Sequence, residues 1–325
     1  MTQVSKKIKL LATAGYLPAT VVTNDDLSQI METSDEWIVA HTGIKTRRYA
    51  LGENTSDLAT KVGKELLAKA NLAAKDIDLI IVATITPDAL TPSTAAIVQA
   101  NLKAQNAFAY DLSAACAGFI FALATAEKFL QAGTYRRALV IAAETNSKMM
   151  DFTDRTSAVF FGDGAGGALL EASDAGSSVY LAEKLVTQGN KEVIHSGRIA
   201  PLSAIAATNY PKTDAFYQDG RAVYQFVTTT VIAHIKDFLA QNNLKPSELA
   251  MVITHQANLR LIEAIATALD LPLSKFAQDV VEAGNTSSAG IPLALAKAHA
   301  AGLHGKVLLC GFGAGLAYGS ILLDL

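Results

Sequence analysis

The hydrophobic positions along the chain fall into two kinds of pattern, which alternate. Residues 77–86 (IDLIIVATIT) and 138–143 are near-continuous runs of β-branched and small apolar side chains, typical of strands buried on both faces of a parallel sheet. Residues 57–70 instead repeat apolar positions with a period near 3.6, which predicts an amphipathic helix. Because such strands and helices alternate along most of the chain, the pattern predicts an α/β fold with mainly parallel sheets covered by helices.

The same order of elements occurs twice along the chain. Features of the first half have counterparts in the second, namely residues 77–86 and 250–254, the small-residue turns at Cys116 and Asn285, and the glycine-rich segments FGDGAGG (161–167) and GFGAG (311–315). We therefore predict an internal duplication, with one half over residues 1–172 and the other over residues 173–325. Two such halves, packed together, are expected to bring equivalent strand ends to one central site.

Other segments give further expectations. Each glycine-rich segment is followed by a β-like run and not by a helix, which argues against a dinucleotide-binding loop and predicts a tight β-turn. Residues 173–219 are weakly patterned and are predicted to be rich in loops. Residues 221–241 are predicted as a long helix, and residues 276–281 as a strand.

Composition excludes several classes of protein. Half of the 325 residues are hydrophobic and 18% are charged, and 27 Lys and Arg nearly balance 30 Asp and Glu, so no broad basic field for nucleic acid is expected. Cys116 and Cys310 form no Cys-x-x-Cys pair, which argues against a zinc ribbon or a disulfide scaffold, and no metal site is predicted. With no leader sequence and no apolar run of about 18 residues, the chain is expected to be cytoplasmic and independent of membranes.

Cys116 lies at the turn between a predicted strand (107–112) and an apolar helix that begins near Ala117. A helix start presents free N–H groups and the positive end of a dipole, which favours the thiolate, and the thiolate is the nucleophilic form of cysteine. The alternative is a buried, inert cysteine that packs as a small hydrophobic side chain. On this segment alone both interpretations stand.

Two polar residues occupy comparable places in the second half. His255 directly follows the predicted strand 250–254, and Asn285 lies in the turn that corresponds to that of Cys116. Taken singly, His255 is compatible with a structural role and Asn285 with an N-cap of the helix that follows. Their joint placement with Cys116 by one duplication favours a shared site.

Five motifs together resemble the β-ketoacyl-acyl-carrier-protein synthase III family, in order and over essentially the whole chain. They are TSDEWIVAHTGI (33–44), DLSAACAGF (111–119), HQANLR (255–260), GNTSSA (284–289) and GFGAGLAYGS (311–320). The resemblance implies the thiolase fold, a five-layer αβαβα arrangement of two pseudo-equivalent halves, usually as a homodimer. It also implies that Cys116, His255 and Asn285 match the family's catalytic residues.

The family's chemistry suits these residue types. Cys116 would accept acetyl or another short acyl group from coenzyme A, and a malonyl-acyl carrier protein would then lose CO2 and condense with it, without a cofactor. His255 Nε2 and the Asn285 amide would donate to the thioester oxygen on which negative charge develops. The N–H groups of Cys116 and Ala314 would bind the oxyanion of the acyl group.

The resemblance also implies binding residues. Trp37 and Arg155 would stack around the adenine of coenzyme A with Thr33 beside them, and Gly220 and Asn258 would line the pantetheine channel. Arg260 would help to dock the acidic carrier protein. Several positions depart from the family pattern: Ala314 for a glycine, His41 for an arginine, Thr91 for an aromatic residue in the acyl pocket, and neutral Gln225, Thr267 and Ala268 where basic residues are frequent. These departures leave the acyl chain and the strength of carrier docking open.

Three other functions compete with this interpretation. A related enzyme of specialised metabolism would transfer the acyl group to a different acceptor or form an ester. A Cys-His hydrolase would use His255 as a base on water and release the free acid. A non-catalytic binding protein gives no reason for a cysteine at a helix start beside two polar strand-end residues.

Overall fold

The computed structural model describes residues 6–197 and 213–325. The elements of the first half are β1 (Lys7–Tyr16), β2 (Thr20–Thr23), α1 (Asn24–Ser28), α2 (Asp35–Thr42), β3 (Thr46–Tyr49), α3 (Thr55–Ala70), β4 (Leu79–Ala83), α4 (Thr94–Leu102), β5 (Phe108–Leu112), α5 (Gly118–Gln131), β6 (Arg137–Glu144) and β7 (Gly164–Ser173). Those of the second half are β8 (Tyr180–Asn190), β9 (Ile194–His195), β10 (Tyr217–Gln218), α6 (Gly220–Phe226), α7 (Ile232–Gln241), β11 (Met251–Thr254), α8 (Leu259–Ala268), α9 (Val280–Ala283), α10 (Gly290–Ala300), β12 (Lys306–Gly313) and β13 (Gly315–Asp324).

Two large sheets form the frame, and their strand orders correspond. The first sheet has the order β1-β7-β6-β4-β5 and the second has the order β8-β13-β12-β11. Beyond β11, Phe276 makes an isolated parallel bridge to Val252, at the place that β5 occupies in the first sheet. The expectation of mainly parallel sheets is wrong, because β1, β7, β8 and β13 pair antiparallel and only β4, β5, β6, β11 and β12 form parallel pairs.

The sheets and helices form five layers. Helices α3 and α4 cover the outer face of the first sheet, where Leu58, Val62 and Val98 pack on Ile80 and Val82. Helices α5 and α10 lie between the two sheets, and their apolar side chains form one cluster with inner residues of both. Helices α7 and α8 cover the outer face of the second sheet. The order of layers is therefore helix, sheet, helix, sheet, helix.

Most predicted elements appear close to their expected bounds. Helix α2 begins after Ser34, whose side chain accepts the N–H of Trp37, and it ends at Gly43 in the left-handed conformation (φ 73°). Helix α8 begins after Asn258, whose side chain accepts the N–H of Leu261. The long helix predicted over residues 221–241 is present, with a π-helical turn at Val227–Val231 between α6 and α7.

Three expectations about local structure are wrong. The glycine-rich segment at 161–167 is not a tight turn: β7 begins at Gly164, because its glycines let α10 lie directly on the strand, and a Cβ on Gly166 would stand 2.6 Å from the Leu293 nitrogen. The predicted strand at 276–281 is a single bridge at Phe276 followed by α9. The loop-rich segment at 173–219 contains the eleven-residue strand β8, and its residues 198–212 lie outside the described part.

Candidate active site

Cys116 lies in a buried elbow between β5 and α5. The elbow is a 3₁₀ turn over Ala115–Ala117, and Ala115 takes the left-handed conformation (φ 48°). The end of β12 passes close beside it, since a Cβ on Gly313 would lie 2.8 Å from the Cys116 nitrogen. Only 9% of Cys116 is exposed. The strand end therefore packs against the backbone that would bind an oxyanion.

The second half contains the equivalent elbow. It is a 3₁₀ turn over Ser287–Ala289, and Ser287 has a φ of 52° as Ala115 does in the first. Leu79 and Met251 begin equivalent strands and Gly118 and Gly290 begin equivalent helices, at the same spacing in sequence. At that spacing, Cys116 corresponds to Ser288.

The structure brings the three predicted catalytic residues together around Ser287. The Ser287 hydroxyl oxygen lies 3.4 Å from Cys116 Sγ, and the Ser287 N–H donates to Asn285 Oδ1 at 2.8 Å. Because Oδ1 is engaged in this way, the NH2 group of the Asn285 amide is the part left to donate to a ligand. His255 donates its backbone N–H to the Cys310 carbonyl at 2.8 Å and packs edge-on against the Phe312 ring.

Burial sets the charge of the site. It raises the pKa of the Cys116 thiol to about 11, a hydrogen bond from Ser287 opposes this in part, and the nearby Glu144 carboxylate adds to it. Burial lowers the pKa of His255 to about 3, while a backbone contact with Ser287 favours the protonated ring. The resting site thus holds a thiol and a neutral imidazole. The expected bias toward the thiolate is wrong for this resting state, because desolvation outweighs the helix start.

A cavity of about 300 Å³ leads from the surface to Asn285. Three residues predicted to bind coenzyme A line it, namely Trp37, Gly220 and Asn258. At its mouth the Trp37 ring stacks on His41 with 4.4 Å between centroids, and the Arg155 guanidinium carbon lies 5.3 Å from the Trp37 ring centre. Flat side chains therefore cluster where the adenine was expected.

Other predicted binding residues lie nearby with different partners. The Thr33 hydroxyl is buried and makes no hydrogen bond to the described residues. Arg260 also lines the cavity, but its guanidinium pairs with Glu263 at 2.9 Å and donates to the Val39 carbonyl at 3.1 Å. Arg260 therefore connects α8 to α2 and is only partly free for a partner. Gln225 and Thr267 are exposed and Ala268 is half-buried.

A second cavity, of about 650 Å³, lies beside the Cys116 elbow. Ala115 and Ala314 line it together with apolar side chains that include Phe121 and Phe216. Ala314 lies in the turn between β12 and β13 without a positive φ, so its methyl group causes no backbone strain. Thr91 is exposed and lines neither cavity.

Two residues that the structure places beside these groups, Ser287 and Glu144, were not singled out from the sequence. Ser287 belongs to the GNTSSA motif, but only its alignment with Ala115 would have marked it as the elbow residue that faces the sulfur. Glu144 ends β6 and is fully buried. Its carboxylate accepts from Ser288 at 2.6 Å and from Thr86 at 2.7 Å. No periodicity in the sequence distinguishes a buried acid at a strand end from an exposed one.

Residues 6–197 and 213–325 contain no cluster of three His, Cys, Asp or Glu side chains suited to a metal ion. They also contain no helix with the length and apolar character needed to cross a membrane.

Comparison with known proteins identifies related sequences and structures. The family model of 3-oxoacyl-[acyl-carrier-protein (ACP)] synthase III matches residues 110–189, and that of its C-terminal part matches residues 239–325. A beta-ketoacyl-[acyl-carrier-protein] synthase III of Lactiplantibacillus plantarum is 62% identical, with 97% of this chain and 98% of the relative covered. The protein of that name from Lactococcus lactis is 46% identical, with 98% and 99% covered.

A solved structure gives the same result at the level of the fold. The crystal structure of 3-oxoacyl-[acyl-carrier-protein] synthase III from Aquifex aeolicus superimposes with a TM-score of 0.88 at 39% identity, and 98% of this chain and 100% of that chain are covered. The expected thiolase-like fold is thereby confirmed.

Proposed function

The chain belongs to the 3-oxoacyl-[acyl-carrier-protein] synthase III family, the initiating condensing enzymes of fatty acid synthesis, and we propose that Cys116, His255 and Asn285 carry out its two half-reactions. The observation that carries this assignment is the chain of contacts from Cys116 through Ser287 to Asn285, at the inner end of a cavity that opens beside Trp37. A thioester that enters beside Trp37 reaches Asn285, and Ser287 connects Asn285 to the Cys116 sulfur.

The first half-reaction transfers an acyl group from acyl-coenzyme A to Cys116. The sulfur attacks the thioester carbonyl, the bond to the coenzyme A sulfur breaks, and an acyl-enzyme remains. The N–H groups of Cys116 and Ala314 stabilise the oxyanion, and loss of one such donor typically costs about 3 kcal/mol of barrier. The apolar cavity beside Ala115 and Ala314 receives the acyl chain.

The second half-reaction decarboxylates the malonyl group carried by the acyl carrier protein. His255 Nε2 and the Asn285 amide donate to the thioester oxygen as the enolate forms, and the carbanion then attacks the acyl group on Cys116. The low pKa of His255 supports this role, because a neutral imidazole donates a hydrogen bond without first binding a proton. It disfavours the hydrolase alternative, since an imidazole with a pKa of about 3 is a weak base toward water.

Coenzyme A occupies the outer part of the first cavity. The adenine inserts between Trp37 and Arg155 beside Thr33, which requires the guanidinium to move away from the indole, and pantetheine passes Gly220 and Asn258. His41 stands on the indole where the family often has arginine, so the phosphates of coenzyme A lose a permanent positive charge. We expect weaker coenzyme A binding for this reason.

The assembly and location of the enzyme complete the proposal. The acyl carrier protein docks near the cavity mouth through Arg260, with weak electrostatic attraction because Gln225, Thr267 and Ala268 are neutral. The enzyme acts in the cytoplasm as a homodimer and needs no cofactor, because loss of CO2 drives the condensation. The free thiols of Cys116 and Cys310 suit a reducing compartment.

The division of the chain into two halves between residues 172 and 173 also remains a prediction.

Mass spectrometry of the acylated protein tests the proposal. After incubation with acetyl-coenzyme A the wild-type protein should carry one acetyl group on Cys116, and Cys116→Ala should carry none. His255→Ala and Asn285→Ala should still be acetylated but should form no 3-oxoacyl product with malonyl-acyl carrier protein. Acetylation at another residue would refute the assignment of Cys116, and equal loss of both half-reactions would show that His255 and Asn285 are structural.

A further inference from the structure

One residue contacts each of the three groups proposed for catalysis. The Ser287 hydroxyl lies 3.4 Å from Cys116 Sγ, its N–H donates to Asn285 Oδ1, and its backbone contacts the His255 ring. Ser287 is completely buried, at 0% exposure. Its hydroxyl makes no second hydrogen bond within residues 6–197 and 213–325, so the contact with sulfur is the one it keeps.

The direction of this hydrogen bond follows from the charge on sulfur. A thiolate has no proton and accepts only, so the Ser287 hydroxyl becomes the donor as soon as Cys116 is charged. The titratable side chains that influence the sulfur offer no positive charge: Glu144 at the end of β6 disfavours the thiolate, and His255 on the β11 side is neutral. A neutral donor in direct contact with the sulfur therefore strongly favours the thiolate form of Cys116.

We propose that Ser287 is a further catalytic residue, whose hydroxyl donates a hydrogen bond to the Cys116 sulfur in both half-reactions. The proposal rests on Cys116 being the nucleophile. In acylation an electron pair on Sγ forms the bond to the acyl carbon, the bond to the coenzyme A sulfur breaks, and that sulfur takes up the proton that the thiol loses. In condensation the new carbon–carbon bond forms and the pair of the broken Sγ–acyl bond returns to Sγ. Ser287 stabilises the sulfur when it attacks and again when it leaves.

The backbone of the elbow allows the hydroxyl to be removed alone. Ser287 has a φ of 52°, a conformation that strains most side chains, but Ala115 has a φ of 48° at the equivalent position of the first elbow. Alanine therefore fits this conformation in the same protein. Ser287→Ala should keep the N–H that holds Asn285 and the backbone contact with His255.

The experiment compares the reactivity of Cys116 in wild type, Ser287→Ala and Ser56→Ala. Site-resolved alkylation by iodoacetamide is measured between about pH 6 and pH 10, where the rate follows the thiolate fraction because the pKa of Cys116 is about 11, together with the rate of acetylation by acetyl-coenzyme A. A hydrogen bond to a charged group is worth a factor of about ten or more in the thiolate fraction, and a less acidic thiolate is intrinsically more nucleophilic, so Ser287→Ala should slow both reactions about threefold or more at every pH in this range. Ser56→Ala is the matched control, because Ser56 is also buried and its hydroxyl donates to Asp88 at 2.5 Å, and neither to the sulfur nor to Glu144. It should leave the rate of alkylation unchanged.

The possible outcomes separate this proposal from the assignment of the nucleophile. If wild type is acetylated on Cys116 while Ser287→Ala has the wild-type pH profile and rate, the catalytic role of Ser287 is overturned and the nucleophile stands. If wild type is acetylated elsewhere, the nucleophile assignment itself fails. Should Ser287→Ala fold poorly, Ser287→Gly removes the same hydroxyl without strain at positive φ and must show the same slower reaction.

Discussion

Two buried histidines contribute to the pH dependence of this fold's stability. Burial lowers the pKa of His255 to about 3 and that of His234 to about 4, both below the ordinary value of 6.5. As the pH falls below 6.5, these histidines bind protons in the unfolded chain but not in the folded one. The stability that they contribute above pH 6.5 is therefore lost progressively as the pH falls toward the folded-state values.

His234 allows this effect to be measured away from the proposed site. Its ring meets Tyr318 edge-on and its Nε2 lies 3.1 Å from Ser320 Oγ, while Lys184 lowers its pKa further and Asp237 opposes that. His234→Gln keeps a hydrogen-bonding group but does not titrate. We expect the variant to lose about 2 kcal/mol less unfolding free energy than wild type between pH 7 and pH 5, measured by urea denaturation. Equal losses in the two proteins would show that His234 already titrates normally when folded.

At the scale of residues, a site residue could be predicted from sequence only where its position in a strand or turn marks it. Cys116, His255 and Asn285 were singled out because each follows a strand or lies in a repeated turn, and both features can be recognised in sequence. Ser287 was not, because its importance comes from a positive φ and from a contact between the two halves. The charge of Cys116 was also missed, since burial and not the helix start decides it.

At the scale of elements, packing between distant segments decided the structure of two regions that the local hydrophobic pattern predicted wrongly. Residues 276–281 have an apolar, strand-like composition, but after the bridge at Phe276 the chain turns into α9, where the Gln256 side chain accepts the N–H of Val280 at 3.2 Å. The glycines of β7 predicted a turn and instead permit close contact between that strand and α10. In both cases the deciding neighbour is distant in sequence.

A glycine at the end of β12 gives a test at this scale. An added Cβ on Gly313 would lie 2.8 Å from the Cys116 nitrogen and 2.9 Å from its Cβ, so Gly313→Ala should push the elbow away from the strand end. We expect acetylation of Cys116 to fall at least about a hundredfold, since displacements near 1 Å have effects of that size.

The control for this substitution is a buried glycine far from the elbow. Gly63→Ala on α3 places its methyl group 2.8 Å from the end of the flexible Leu102 side chain, which can move aside. It should acetylate at nearly the wild-type rate. If Gly313→Ala is acetylated as fast as Gly63→Ala, the elbow tolerates displacement by the new methyl group.

Across the whole molecule, the duplication has produced two equivalent elbows that carry different groups. One elbow holds Cys116 and the other holds Ser288 at the corresponding position. Gly313 ends β12 beside Cys116, and Glu144 ends β6 beside Ser288. The first elbow adjoins the 650 Å³ cavity through Ala115, whereas Ser288 is fully buried and its hydroxyl is bound by Glu144. One copy of the αβ unit therefore presents the cysteine proposed as nucleophile, and the other is closed by a carboxylate. The repeated order of elements along the chain was predictable from sequence, but this division of roles was not, because it depends on which residue each strand end places against the opposite elbow.

The open edge of the first sheet predicts how two copies of the chain associate. Among residues 6–197 and 213–325, β5 pairs with β4 alone, and all five residues of β5 are half-buried. Beside it lies a cluster of aromatic side chains in mutual contact, formed by Phe108, Tyr110, Phe129 and Tyr135. An exposed strand edge with apolar neighbours favours pairing with another strand, so we expect β5 to form the centre of the homodimer.

Ala109→Pro tests this interface without disturbing the protomer. Phe108 donates its N–H to the Asp78 carbonyl within the sheet, so by the alternation of a parallel pair the N–H of Ala109 points to the open edge. Proline removes that outward donor alone. Sedimentation should show a dimer for wild type and for the control Ala109→Ser, and a monomer for Ala109→Pro. A dimer that survives in Ala109→Pro would place the interface elsewhere, since no strand can pair fully along an edge that lacks this N–H.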